Sequence, residues 1–166
     1  MKISIVYSSQ SGHTEQMGEV IREGILQVDD AIEVKLMNVN QENAVDADFL
    51  QQSDAVIFGT PTYVASTCWQ LKKFFDVDCL KYNLGGKLAG CYATAAMQWG
   101  GPDLAIQNIL AMALTKGMLA YSSGTGEGQP YIHLGPVSLN KNMEEDKAIV
   151  RLYGQRMARK CKELFG

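Results

Sequence analysis

Two short stretches, Ile3-Ser4-Ile5-Val6-Tyr7 and Ala55-Val56-Ile57-Phe58-Gly59, are almost wholly apolar and show no regular polar–apolar alternation. A strand with one face in water alternates. A strand that does not is buried on both faces, as the central strands of a parallel sheet are. Parallel neighbours need a crossover segment between them, commonly a helix. Met17, Val20, Ile21, Gly24, Ile25 and Val28 recur at three- and four-residue spacing, with Glu15, Glu19, Arg22 and Glu23 between them. That pattern predicts a helix over 14–28. Ile32, Val34 and Leu36 alternate with Glu33 and Lys35, which places a second strand, 32–37, at a sheet edge.

The rest of the chain continues the alternation. A short helix is expected near 46–52, and the strand over 55–59 leads into the loop Thr60-Pro61-Thr62-Tyr63-Val64. Ser66 or Thr67 can cap a helix running through Phe75. A fourth strand spans 87–94, and Pro102 suits the first turn of a helix that ends before Gly117. Strand five follows at 118–122, then a glycine-rich connection over 124–139. Asn142 caps a last helix whose apolar stripe is Ile149, Leu152, Tyr153, Met157, Cys161 and Leu164. Strands alternating with helices, joined by right-handed crossovers, define an α/β fold. The expectation is a doubly wound, five-stranded parallel sheet of order 2-1-3-4-5, in a single domain over residues 1–166.

In such a sheet ligands bind beyond the carboxyl ends of the strands, at the switch point between strands one and three. The turn after strand one, Ser8-Ser9-Gln10-Ser11-Gly12-His13-Thr14, is suited to that place. A strand that turns into a helix N-terminus gathers unpaired N–H groups and a partial positive charge, which together hold an anion. A helix cap needs one hydroxyl, and this turn offers four within seven residues. Neither G-x-G-x-x-G nor G-x-x-x-x-G-K-[ST] occurs in it, which argues against a nucleoside triphosphate. The loops after strands three and four open at the same end. Tyr63 in one and Trp99 in the other can flank a planar heteroaromatic ring, and Gly100-Gly101 allow close backbone approach.

Several classes are disfavoured. A formal net charge of −3 without long blocks of one sign argues against nucleic acid as a partner. No apolar run approaches the ~18–20 residues of a membrane span. The first residues form a strand rather than a basic segment followed by an apolar one, and a cytoplasmic location is expected. Cys68, Cys79, Cys91 and Cys161 lack C-x-x-C spacing and sit among apolar neighbours, as reduced buried thiols do; no metal site is expected.

The segment Ser9-Gln10-Ser11-Gly12-His13-Thr14 resembles the FMN-phosphate loop of flavodoxins, [ST]-x-[ST]-G-x-T. Gly59-Thr60-Pro61-Thr62-Tyr63 resembles the G-T-P-T-R/Y segment of the WrbA-type NAD(P)H:quinone oxidoreductases in the same flavodoxin-like superfamily. The Gly100-Gly101 pair and Gly128-Gln129-Pro130-Tyr131 extend the likeness over nearly the whole chain. The resemblance implies that Ser9, Gln10, Ser11, Gly12, His13 and Thr14 hold the FMN phosphate. Pro61, Thr62, Tyr63 and Val64 would then line one edge of the isoalloxazine, and Ala95, Ala96, Met97, Gln98, Trp99 and Gly100 the other. The family's His-His pair near the end of helix four is replaced by Thr115-Lys116.

Two functions are compatible with this resemblance. The main expectation is an FMN-dependent oxidoreductase that passes electrons from NAD(P)H to a quinone or similar small acceptor, the flavin carrying the chemistry and no protein residue being catalytic. The alternative is a flavodoxin-type one-electron carrier between protein partners. Such carriers usually dock through a strongly acidic face, and the balanced charge here weighs towards the enzyme. His133 is a candidate proton donor. Trp69 and Tyr82 are candidates for contact between subunits of a dimer or tetramer.

Overall fold

The computed structural model describes residues 1–166. Its centre is formed by three parallel strands, β1 (Lys2–Tyr7), β3 (Ala55–Tyr63) and β5 (Leu88–Ala95), with β2 (Glu33–Asn38) on the open edge beside β1. β4 (Ser66–Thr67) turns back antiparallel on the end of β3, and β6 (Leu119–Ala120) and β7 (Val137–Leu139) both pair with β5. The order β2-β1-β3-β5-β6 is the expected 2-1-3-4-5, once β4 is recognised as a two-residue addition.

Helices cover both faces. α1 (His13–Val28) and α5 (Met143–Phe165) lie on one side with Ile3, Ile5, Ile57 and Tyr92 beneath them. α2 (Ala47–Gln52), α3 (Trp69–Asp76) and α4 (Pro102–Thr115) lie on the other, over Val6, Val56, Phe58 and Cys91. The two-residue period of each strand sends alternate side chains into these two cores, which is why the central strands had to be apolar throughout. Phe58 meets Phe75 at a centroid distance of 4.8 Å and Phe74 at 6.5 Å. Ser4, the polar exception in β1, is fully buried and bonds the Ser53 hydroxyl at 2.8 Å. A buried hydroxyl without such a partner would cost about 1–3 kcal/mol.

Four expectations are corrected. The fifth sheet position is not one strand. β6 pairs with Leu88 and Ala89, the chain leaves the sheet, and β7 returns beside Ala93–Ala95 from within the stretch read as a connection. Ser66 and Thr67 form β4 and do not cap α3. The Cys68 N–H that precedes α3 is bonded to the Thr60 hydroxyl instead. The Asn142 side chain makes no cap bond at α5. There the Asp146 carboxylate accepts from the Leu139 N–H at 2.8 Å. In α5 Leu164 is exposed while Arg156 is buried, because the guanidinium donates to the carbonyls of Glu127, Gly128 and Pro130 and to the Ser123 hydroxyl. It thereby anchors the segment that parts β6 from β7.

α1 and α5 approach so closely that glycine is required where they cross. A Cβ at Gly154 would stand 2.2 Å from the Ile21 carbonyl oxygen, and one at Gly24 would stand 2.1 Å from that of Arg151. Both obstacles are helix backbone and cannot swing away. Gly154→Ala is expected to force the helices apart and lower stability by about 1–3 kcal/mol, the usual cost of overpacking. Urea denaturation of the variant should show that loss in midpoint with little change in slope.

Candidate functional site

The carboxyl ends of β1, β3 and β5 meet the N-terminus of α1 in a cleft of about 190 Å³. Gln10, Ser11, His13 and Thr14 line it from β1–α1, Pro61, Thr62 and Tyr63 from β3, and Thr94, Ala95 and Ala96 from β5. Asn140, one residue past β7, closes it. A wider hollow opens beside it, lined by Ser11, Gly12, His13, Gln16, Asn140 and Met143.

The β1–α1 turn is built to present N–H groups. Gly12, immediately before α1, has φ +88°, a left-handed conformation that favours glycine, and its N–H is taken up by the Ser9 hydroxyl at 3.1 Å. Asn38 fixes the start of the turn, accepting from the Ser9 N–H and donating to the Ser9 carbonyl. The N–H groups of Gln10, Ser11, His13, Thr14 and Glu15 have no partner in the protein. Such groups at a helix end converge on an anion. The hydroxyls divide their tasks. Ser8 and Ser9 are committed to Asn40 and Gly12, and Ser11 is exposed beside the cleft. Thr14 and Thr94 bond each other at 2.9 Å, where one proton joins the pair and the second remains free.

Tyr92 holds this end of α1 in place. Its hydroxyl donates to the Thr14 carbonyl at 2.9 Å, and its ring lies where a Cβ on Gly59 would stand, 2.2 Å from the ring carbon. Burial pushes the Tyr92 hydroxyl well above the ordinary tyrosine range, so it remains a donor. Tyr7 donates to the Glu15 carboxylate at 2.9 Å. Burial first, and Glu15 second, raise its pKa as well.

The two remaining loops meet the cleft unevenly. Thr60 is fully buried and organises the first: its hydroxyl donates to the Pro61 carbonyl and accepts from Thr67 and from the Cys68 N–H. Val64 and Ala65 follow with φ of 50° and 55°, a conformation costly for a β-branched residue and found where a loop is held for use. Val64 is 100% exposed and Tyr63 46%. In the second loop Ala95 and Ala96 line the cleft, whereas Met97, Gln98, Trp99 and Gly100 lie outside its lining. Trp99 is 90% exposed.

A flavin nucleotide fits these residues. The unpartnered N–H groups answer a phosphate, and two shielded polar atoms at the cleft, Thr62 Oγ1 and His13 Nε2, have no hydrogen-bond partner within the protein. Buried polar atoms are rarely left so. Thr94 and Asn140 were not anticipated. Thr94 closes an apolar strand like any other β-former, and Asn140 carries no local motif.

The other residues singled out in the sequence stand elsewhere. His133 stacks on Tyr131, 6.4 Å between centroids, in a separate hollow with Asp103 and Gln107. Thr115 and Lys116 end α4 just before Gly117, whose carbonyl accepts from the Gly86 N–H, at the amino end of β5 and away from the cleft. Tyr82 is buried in this chain's own core, while Trp69 is 69% exposed.

A family described by its flavodoxin-like fold matches residues 1–125. A flavodoxin of Clostridium saccharobutylicum is 45% identical over 165 residues, covering 99% of this chain and 100% of its own length. An NAD(P)H dehydrogenase (quinone) of Geobacter sulfurreducens is 30% identical over 164 residues, covering 85% of this chain and 78% of its own. Among solved structures, a flavodoxin, WrbA-like protein from Agrobacterium tumefaciens superposes with a TM-score of 0.81 at 28% identity, over 98% of both chains. The chain belongs to the flavodoxin-like family. No helix is long and apolar enough to cross a membrane.

Thr60 is the residue whose loss should disturb the site without touching its surface. Thr60→Val removes the acceptor of the buried Cys68 N–H and is expected to cost about 1–3 kcal/mol. Hydrogen exchange should quicken at Cys68 and Thr67 while the amides of β1 keep their protection.

Proposed function

We propose that this chain is an FMN-binding one-electron carrier of the flavodoxin type. The reading is carried by the 45% identity to the Clostridium saccharobutylicum flavodoxin, which extends over 99% of this chain and 100% of that relative. This reverses the preference drawn from the balanced charge and the WrbA-like Gly59–Tyr63 segment: a modest net charge limits long-range steering but does not prevent docking.

When bound, FMN supplies the redox chemistry through its isoalloxazine ring. The chain's own part is to bind and orient it. The N–H groups of Gln10, Ser11, His13, Thr14 and Glu15 hold the phosphate, the Ser11 hydroxyl adds a donor, and the helix dipole favours the negative charge. Pro61–Tyr63 and Ala95–Ala96 take the ring between two backbone edges. Val64, Met97 and Trp99 stand exposed at the rim, where Trp99 can fold over the flavin or meet a partner. Carriage of single electrons asks for no protein acid or base.

The NAD(P)H:quinone oxidoreductase reading is kept as a second, because the Geobacter sulfurreducens relative and the WrbA-like neighbour favour it. Anaerobic reduction separates the two. For the FMN-loaded protein, dithionite is expected to reduce the flavin in two well-separated one-electron steps, and neither NADH nor NADPH is expected to bleach it within minutes. Rapid bleaching by either nucleotide, with turnover on added quinone, would establish the second reading.

A further inference from the structure

The three flavin loops leave one side of the anion site unaccounted for, and there the second half of the split fifth strand arrives. β7 is in parallel register with the end of β5, Ser138 standing opposite Thr94. Partners in register project from the same face of a sheet. Thr94 meets Thr14 of α1 at 2.9 Å, so the shared face is the one that carries the α1 N-terminus. On that face the Ser138 hydroxyl is buried, the residue being 1% exposed, and has no hydrogen-bond partner. Two residues on, Asn140 lines both the cleft and the wider hollow, facing Ser11 and His13. Its carboxamide makes no hydrogen bond within the protein, and the residue is exposed. His13 Nε2, in a residue that lines the same two hollows, is shielded and unpartnered.

We propose that Asn140 is a further ligand of the flavin phosphate, its Nδ2 donating to a terminal phosphate oxygen across from Ser11. The inference rests on the flavin reading above. The phosphate, rather than the isoalloxazine, is assigned because the wider hollow that Asn140 shares with Ser11, Gly12 and His13 contains none of Pro61, Thr62 and Tyr63. Donors from α1 reach the anion only from the helix end. Asn140 supplies one from the opposite wall, and no lysine or arginine lines either hollow. The split strand then has a use. The segment anchored by Arg156 lets β7 rejoin β5 at its last residues, and this delivers Asn140 to the site.

Fluorescence titration of the apoprotein tests this, with FMN and riboflavin as paired ligands for the wild type, Asn140→Ala and Asn140→Asp. Because the side chain is exposed and unbonded, both variants should fold, as far-UV circular dichroism will verify. Asn140→Ala is expected to raise the FMN Kd about tenfold, the loss of one hydrogen bond to a charged group. Asn140→Asp should raise it further, since a carboxylate then faces the phosphate. Riboflavin, without the phosphate, should bind all three proteins within about twofold. FMN affinity within twofold of wild type in both variants would overturn the assignment, as would an equal loss for riboflavin. A wild type that fails to bind FMN would instead remove the flavin reading on which the assignment stands.

Discussion

The site depends on how the first turn of α1 is held over the strand ends. Five N–H groups without partners are costly to gather in one place unless something fixes the helix there. Tyr92 does this from β5, reaching beneath α1 to the Thr14 carbonyl, and the Thr14–Thr94 hydroxyl pair does it from two residues further along the strand. Gly59 leaves room for the Tyr92 ring, and Gly12 supplies the left-handed turn. The Gly24–Gly154 crossing presses α5 against α1 from outside. A candidate anion site without a single cation is then a property of the fold rather than of one residue. Each N–H contributes modestly, and their fixed orientation makes the sum useful.

The carrier and the oxidoreductase readings share this anchor and differ at the other end of the cleft. There the chain presents Val64, Met97 and Trp99 to solvent on two loops that touch, since a Cβ on Gly101 would meet the Ala65 Cβ at 2.6 Å. Exposed apolar side chains on positioned loops are a common means of recognition. They suit a carrier that must bring its ring edge close to a partner's. A nicotinamide or quinone acceptor would need the same ring face uncovered, so the placement of Trp99 bears directly on which chemistry the protein performs.

What could be read in the sequence followed from periodicity. The central strands were legible because two-sided burial removes alternation, and α1 because its apolar stripe is unbroken. The β1–α1 turn was legible as a candidate anion site because hydroxyls around one glycine, between a buried strand and a helix, form a local pattern. β7 was not: Val137-Ser138-Leu139 is too short to show a period, and it becomes a strand only through pairing with the end of β5, more than forty residues earlier in the chain. Asn140 shares that fate, for its place comes from tertiary pairing and not from its neighbours. The buried Arg156 broke the apolar stripe of α5 because its partners are carbonyls of a distant loop, which no charge pattern announces. Trp99, expected to flank the ring as an aromatic in the loop after the fourth predicted strand, is 90% exposed and outside the cleft lining.

Binding of a flavin nucleotide's phosphate by the unpartnered N–H groups at the start of α1 is the step on which the proposed function stands. It is tested most directly by amide resonances of the isotopically labelled apoprotein during addition of FMN and, separately, riboflavin. The amides of Gln10, Ser11, His13, Thr14 and Glu15 are expected to shift strongly downfield with FMN, as donors to a charged acceptor do, and to shift little with riboflavin. Residues 61–63 and 95–96 should respond to both. Unmoved amides at the start of α1 in the presence of saturating FMN would contradict it.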